Sequence, residues 1–111
     1  MFPLNAWYAV AWTHELRKGE VLGRTVCGIK IALWRTGEGA PSALEDACWH
    51  RLMPLSHGRP EGDNLVCRYH GLAFDAAGRC TRMPSQQKLN PNACVRAYPL
   101  LEKHRLVWVW P

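Results

Sequence analysis

The sequence reads Cys-Trp-His at residues 48–50 and Cys-Arg-Tyr-His-Gly at residues 67–71. Each stretch supplies one thiol and one imidazole, in a C-x-H pair followed further along the chain by a C-x-x-H pair. Two such loops, held side by side, can bind a two-iron cluster, because two thiolates can hold one iron and two imidazoles the other. We therefore predict a [2Fe–2S] cluster with four ligands: Cys48, His50, Cys67 and His70.

The same residue types also serve zinc, which binds Cys2His2 sets in tetrahedral geometry. Zinc fingers usually keep two cysteines in one pair and two histidines in the other, whereas each pair here is mixed. A third alternative is a set of four buried core residues without a metal. Histidine is only intermediate in its tendency to be buried, so two of them beside two cysteines favour a ligand set instead. Zinc and the bare core remain alternatives to the cluster.

The chain around these pairs is typical of an all-β domain. Glycine, proline and asparagine recur at short intervals, with β-branched and aromatic runs between them. With 111 residues the chain is expected to form one domain. The predicted elements are strands at 5–12, 21–26, 29–35, 42–47, 64–66, 72–74 and 79–81, a helical turn at 13–16, and a closing hairpin of 94–98 with 106–110.

Composition excludes several classes of protein. No apolar run approaches the ~20 residues that a membrane span needs, and the N-terminus lacks the pattern of a signal peptide. We therefore expect a cytoplasmic protein without a membrane partner. The net charge is +5, but the basic residues are spread along the chain, so nucleic-acid binding is not expected. Five arginines near the ligands suggest a basic rim for an acidic partner: Arg51, Arg59, Arg68, Arg79 and Arg82.

The remaining cysteines and histidines are predicted to have no role in chemistry. Five cysteines cannot all pair within one chain, and disulfides are rare in the cytoplasm. Cys27, Cys80 and Cys94 are therefore predicted to be buried free thiols. His14, His57 and His104 lie in polar or turn-like contexts and are predicted to be at the surface.

Other stretches of the chain carry a resemblance to a known family. They read Phe-Pro-Leu-Asn-Ala-Trp-Tyr at 2–8, Leu-Gly-Arg at 22–24, Pro-Leu-Ser at 54–56, Tyr-His-Gly-Leu at 69–72 and Val-Trp-Val-Trp-Pro at 107–111. Together with the ligand pairs, they resemble the N-terminal Rieske domain of Rieske non-haem iron oxygenases, the vanillate O-demethylase group in particular. The resemblance implies a Rieske (ISP-like) antiparallel β-sandwich over 1–111, with a small cluster-binding subdomain at about 45–85 formed by two β-hairpin loops.

The resemblance also implies a function. The cluster would accept an electron from a reductase or ferredoxin and pass it to mononuclear Fe(II) in the catalytic domain of its own or a neighbouring subunit. That C-terminal domain is absent from this sequence, so the chain alone is expected only to transfer electrons for a mono- or dioxygenase. In the family a bridging carboxylate contacts the second-loop histidine, which corresponds to His70. Pro84 is expected in a loop that covers the cluster.

Two positions differ from the residues that related Rieske proteins have there. Trp49 stands where the family usually has proline, and it is expected either to pack on its loop or to shield the cluster and alter docking. Leu72 stands where high-potential Rieske proteins place a serine, and the first loop lacks their extra cysteine, so a low potential is expected.

The alternative function is a stand-alone Rieske-type ferredoxin, which a stop codon directly after Pro111 would favour.

Overall fold

The computed structural model describes residues 4–49, 53–68, 71–84 and 92–111. These residues form three antiparallel sheets, with strand orders β1-β10-β9 (sheet A), β2-β3-β4 (sheet B) and β5-β6-β7-β8 (sheet C). Two 3-10 turns lie at Thr13–Glu15 and Leu55–His57. The strands are β1 Tyr8–Trp12, β2 Leu22–Val26, β3 Ile29–Arg35, β4 Pro41–Glu45, β5 Arg59–Glu61, β6 Asn64–Val66, β7 Ala73–Phe74, β8 Cys80–Arg82, β9 Leu100–Lys103 and β10 Leu106–Val109.

Sheet B separates two hydrophobic clusters. Ile31 and Leu33 of β3 pack with Val107 of sheet A, whereas Ala32 and Trp34 of the same strand pack in the cluster that holds Leu65 of sheet C. Residues 31–34 are therefore buried on both faces of the strand. The alternation of Ile31 and Leu33 along β3 indicates one buried face. Its other face is also buried, because alanine and tryptophan there meet sheet C.

The all-β prediction is confirmed, and two of its strands, 29–35 and 64–66, coincide with β3 and β6. The strand Arg59–Glu61 was not predicted, because Pro60 argues against a strand. The structure places it at an edge of sheet C, where a missing N–H group is tolerated. Among the described residues, no helix has the length and apolar character to cross a membrane.

The prediction for the closing hairpin was wrong in one strand. β10 pairs with Leu100–Lys103, not with 94–98, and Cys94 and Ala97 form only isolated bridges, to Arg79 and Leu44. The turn between β9 and β10 carries His104 and Arg105 at φ 57° and 64°. Such turns usually contain asparagine or glycine, so this one lacked a sequence signal.

Candidate metal centre

The predicted ligand pairs lie in two loops at one end of sheet C. Loop 1 is residues 46–58, between β4 and β5, and loop 2 is residues 67–72, between β6 and β7. Cys48 is the third residue of loop 1 and Cys67 is the first residue of loop 2, so both cysteines lie at or near the start of their loops. Both side chains are 0% exposed and belong to the same hydrophobic cluster. The structure thus brings the two predicted cysteine ligands into one core.

The backbone around the two cysteines follows the same pattern. The Cys48 N–H donates to the Met53 carbonyl at 3.0 Å, and the Cys67 N–H donates to the Leu72 carbonyl at 2.7 Å. In both loops the acceptor lies five positions after the cysteine (48 to 53 and 67 to 72). In sequence, each predicted histidine lies between the donor and the acceptor of one of these two bonds. The two cysteines therefore share one backbone hydrogen-bond pattern, although the sequences of their loops differ.

His50 and His70 lie outside the described residues, as do Arg51 and Tyr69. Accordingly, the described part of the chain contains no group of three or more histidine, cysteine, aspartate or glutamate side chains arranged for a metal ion. The fit of the site to a cluster therefore rests on its cysteines. One buried cysteine in each of two equivalent loops fits the thiolate half of a Rieske ligand set, since that half needs two thiolates on one iron.

The ends of the two loops are held together in different ways. Loop 2 joins β6 to β7, which pair with each other in the registers Leu65↔Phe74 and Val66↔Ala73. Loop 1 joins β4 of sheet B to β5 of sheet C, which lie in different sheets. Its ends are linked by side chains, because the Asp46 carboxylate accepts hydrogen bonds from both the amide and the hydroxyl of Ser56.

Asp46 is a residue whose role the sequence did not reveal. In the sequence, this carboxylate stands two positions before Cys48, and no pattern links it to a partner. The available signal was Ser56, which belongs to the Pro-Leu-Ser stretch of the family resemblance. Only the structure shows that this serine folds back onto Asp46.

The residue after each loop cysteine reaches solvent. Trp49 is 38% exposed and Arg68 is also exposed, whereas the cysteines before them are fully buried. The indole of Trp49 is thus only partly covered by its loop. In loop 2, a Cβ atom added to Gly71 would lie 3.5 Å from Pro84, so the Pro84 ring packs beside that loop. That Pro84 belongs to a loop that covers the cluster stays a prediction, because residues 85–91 lie outside the described residues.

Part of the proposed basic rim is neutralised, because two carboxylates face three of its five arginines. Arg59 and Arg82 both bind Glu61, and the Arg82 guanidinium, with a smaller contribution from Arg59, lowers the pKa of that carboxyl group. Arg79 forms an ion pair with Asp75 at 3.4 Å. Three of the five arginines therefore face a carboxylate. The described residues of the cluster-binding subdomain therefore support an acidic partner less than the five arginines in the sequence suggested.

The other cysteines were predicted only partly correctly. No disulfide joins any of the five, all of which lie in the described residues. Cys80 is buried, and burial raises the pKa of its thiol. Cys27 is half-buried in the β2–β3 turn at φ 52°, and Cys94 is exposed, so the prediction of a buried thiol was wrong for Cys94. His14, His57 and His104 are exposed, as predicted.

Comparison with known proteins identifies the family. The Rieske [2Fe–2S] domain family matches residues 6–99. The chain is 42% identical over 110 residues to the iron–sulfur subunit TsaM1 of the toluene-4-sulfonate monooxygenase system of Comamonas testosteroni, covering 99% of this chain and 32% of that protein. It is 41% identical over 111 residues to a vanillate O-demethylase oxygenase subunit of Pseudomonas sp. strain HR199, covering 100% of this chain and 31% of that protein.

Solved structures agree with the sequence comparison. The crystal structure of apo dicamba monooxygenase superimposes with a TM-score of 0.94 at 40% identity, over 99% of this chain and 34% of that one. The chain thus spans about a third of the length of its curated relatives. A family match over most of the chain, relatives of more than 40% identity and the same fold lead to one conclusion. The chain belongs to the Rieske [2Fe–2S] domain family.

Proposed function

We propose that the [2Fe–2S] cluster is bound by Cys48 and Cys67 on one iron and by His50 and His70 on the other. The equivalence of the two loops carries this proposal. In each loop a fully buried cysteine donates its amide hydrogen to the carbonyl five positions later, so the backbone is held in the same way at both cysteines. The histidines follow these cysteines by two and three positions in sequence. The cluster-binding subdomain is residues 45–85, within a single domain over 1–111.

The loops supply burial and little polarity around the two thiols. Leu72, 9% exposed, occupies the position after Gly71 and offers only an apolar side chain there. Met53 and Leu55 add further apolar atoms to the hydrophobic cluster that contains Cys48 and Cys67. When bound, a Rieske cluster supplies a one-electron carrier with a potential between about −150 and +300 mV. Without a hydroxyl donor at position 72, the protein is expected to hold the potential near the lower end of that range.

The chain acts, in this proposal, as the electron-transfer domain of an oxygenase component. Its relatives are described as oxygenase components and iron–sulfur subunits of monooxygenase systems, and it matches about a third of each. The electron donor would be a reductase or ferredoxin. The acceptor would be mononuclear Fe(II) in a catalytic domain, in the same or a neighbouring subunit. The proposal includes a cytoplasmic location, in keeping with an NAD(P)H-dependent reductase as the source of electrons.

Replacement of single ligands tests the ligand assignment. We expect Cys67→Ser and His70→Cys to lose the Rieske absorption and EPR spectrum, because each changes the ligand set of one iron. Iron and labile sulfide should fall together with the spectrum in Cys67→Ser, whereas His70→Cys still offers a thiolate to the iron and is judged by its changed spectrum. An unchanged spectrum in either variant would refute the assignment.

Cys80→Ser provides the matched control. Cys80 is buried in the same hydrophobic cluster as Cys48 and Cys67 but lies outside both loops. Its replacement should lower stability slightly, since a hydroxyl replaces an apolar thiol, and leave the spectrum and the iron content as in the wild type. Loss of the spectrum in Cys80→Ser as well would show that the loss in the ligand variants reflects general damage to the core.

A further inference from the structure

A carboxylate and a serine connect the two ends of loop 1. Asp46 Oδ1 accepts from the Ser56 amide and Asp46 Oδ2 accepts from the Ser56 hydroxyl, both at 2.6 Å. Both residues are half-buried. Hydrogen bonds to a charged acceptor are stronger than those between neutral groups, and here one carboxylate uses both oxygens on one residue. The pair fixes the distance between positions 46 and 56, and therefore encloses Cys48 and position 50.

The pair is itself anchored to sheet B. The Asp46 amide donates to the Lys30 carbonyl of β3 at 2.9 Å, which holds the start of loop 1. Gly23 of β2 lies against the pair, because a Cβ atom there would be 3.1 Å from the Ser56 hydroxyl oxygen and 3.4 Å from Asp46 Oδ2. Next to Ser56, Leu55 is fully buried in the same hydrophobic cluster as Cys48. The body of the protein thus sets the position of this link.

Loop 2 has a different means of closure. The backbone hydrogen bonds between β6 and β7 fix its two ends, so its geometry follows from the sheet. The strands on either side of loop 1 belong to different sheets, and no strand ladder joins them in the described structure. The hydrogen bonds of Asp46 and Ser56 therefore do for loop 1 what strand pairing does for loop 2.

We infer that Asp46 and Ser56 are positioning residues, which hold Cys48 and His50 in the geometry that the cluster requires. The inference rests on the proposed ligand assignment. Neither side chain is a ligand, and both act through the backbone of loop 1. Loss of the link leaves the Cys48–Met53 hydrogen bond and the bond of the Asp46 amide to Lys30 in place, but removes the direct contact between the two ends of loop 1. Each iron takes one ligand from loop 1 in this assignment, so the protein should then lose both irons more readily.

The experiment compares Ser56→Ala and Ser56→Thr in the cluster-loaded chain. Ser56→Ala removes the hydroxyl donor without changing the charge near the cluster, so an electrostatic effect is avoided. We expect it to speed iron loss to a strong chelator by about tenfold, the lower end of the range for residues that orient metal ligands. The EPR lines of the reduced protein should also broaden, because loop 1 samples more than one geometry. Ser56→Thr keeps the hydroxyl and should restore both the rate and the line shape.

Asp75→Ala is the matched control for Asp46→Ala. The Asp75 carboxylate likewise accepts two hydrogen bonds, from the amides of Ala77 and Arg79, but in the β7–β8 turn away from both loops. We expect Asp46→Ala to exceed Ser56→Ala in its effect on iron loss and Asp75→Ala to match the wild type. If Asp46→Ala does not assemble a cluster, the Ser56 variants still decide the question.

Two results would overturn the inference about Asp46 and Ser56 but leave the proposed ligand set in place. One is a Ser56→Ala protein with the wild-type rate of iron loss and the wild-type EPR line shape. The other is an Asp75→Ala protein that loses iron as fast as Asp46→Ala. A wild-type chain without a Rieske spectrum would instead overturn the proposed ligand set, and this inference with it.

Discussion

Loops 1 and 2 share one backbone hydrogen-bond pattern at their cysteines, but different interactions hold their ends. Loop 2 is the connection of a hairpin, and its ends are fixed by the pairing of β6 with β7. Loop 1 crosses from sheet B to sheet C, and its ends are fixed by the contact of Asp46 with Ser56. The ladder of β6 and β7 is formed by backbone, so a side-chain substitution leaves it in place, whereas the contact of Asp46 with Ser56 depends on side chains. Substitutions at the ends of loop 1 should therefore have larger effects than those in loop 2.

Gly58→Ala, at the end of loop 1, should produce the largest effect. A Cβ atom at this position would lie 2.0 Å from the Val66 carbonyl oxygen, which is backbone and cannot move aside cheaply. The strain should push β5 away from β6 and cost at least about 3 kcal/mol, the upper end for added atoms in packed sites. Urea unfolding of the cluster-loaded protein measures this cost. Gly62→Ala is the control, because nothing lies within 4 Å of its Cβ position and its φ of +61° leaves only the cost of a left-handed backbone, about 1–2 kcal/mol.

Gly71→Ala, in loop 2, should be milder. Gly71 has φ +68°, and its Cβ position meets Pro84 at an ordinary distance of 3.5 Å. The cost is then only that of a left-handed backbone with a side chain, about 1–2 kcal/mol. The same urea titration should place Gly71→Ala between Gly58→Ala and the wild type. The reverse order, with Gly71→Ala the more damaging, would contradict the comparison of the loops.

Glu102→Gln should have the smallest effect on the free energy of unfolding and no effect on the iron–sulfur cluster. Arg35 of sheet B donates to Glu102 of sheet A at 3.1 Å through Nη1 and also bonds it through Nη2, and these bonds lower the pKa of the carboxyl group. The pair therefore stabilises the fold above the ordinary glutamate pKa of about 4.3, and the contribution is lost as the pH falls through the lowered value. Glu102→Gln should cost about 1 kcal/mol near pH 7.

The pH profile of unfolding separates this pair from a general effect. The difference in unfolding free energy between wild type and Glu102→Gln should shrink as the pH falls from about 7 towards 3. The EPR spectrum at neutral pH should be the same in both proteins, because the pair joins sheets A and B and touches neither loop. A difference that stays constant with pH would show that the ion pair contributes nothing to stability.

The sequence predicted those parts of the fold that local patterns encode. The alternating strand 29–35 and the short strand 64–66 were recognised because turn residues flank them. The β9–β10 hairpin was misplaced because His104 and Arg105 adopt positive φ without the usual turn residues. Burial on both faces of β3 depends on sheet C, which is distant in sequence. Local patterns carry no information about such a contact.

The candidate site shows the same division. The four predicted ligands came from residue types and spacing alone, and the structure buries the two cysteines together. The link between Asp46 and Ser56 could not be predicted, because it depends on how a ten-residue segment folds back, not on a periodic pattern. The neutralisation of Arg82 by Glu61 was hidden for the same reason, since the two residues are 21 positions apart.

The most direct test of the account is low-temperature EPR of the dithionite-reduced wild-type chain after anaerobic purification, with iron, zinc and labile sulfide measured on the same sample. We expect a rhombic spectrum from a cluster with mixed cysteine and histidine ligands, and iron and sulfide in equal amounts. Zinc in stoichiometric amount, without sulfide and without an EPR signal, would contradict it.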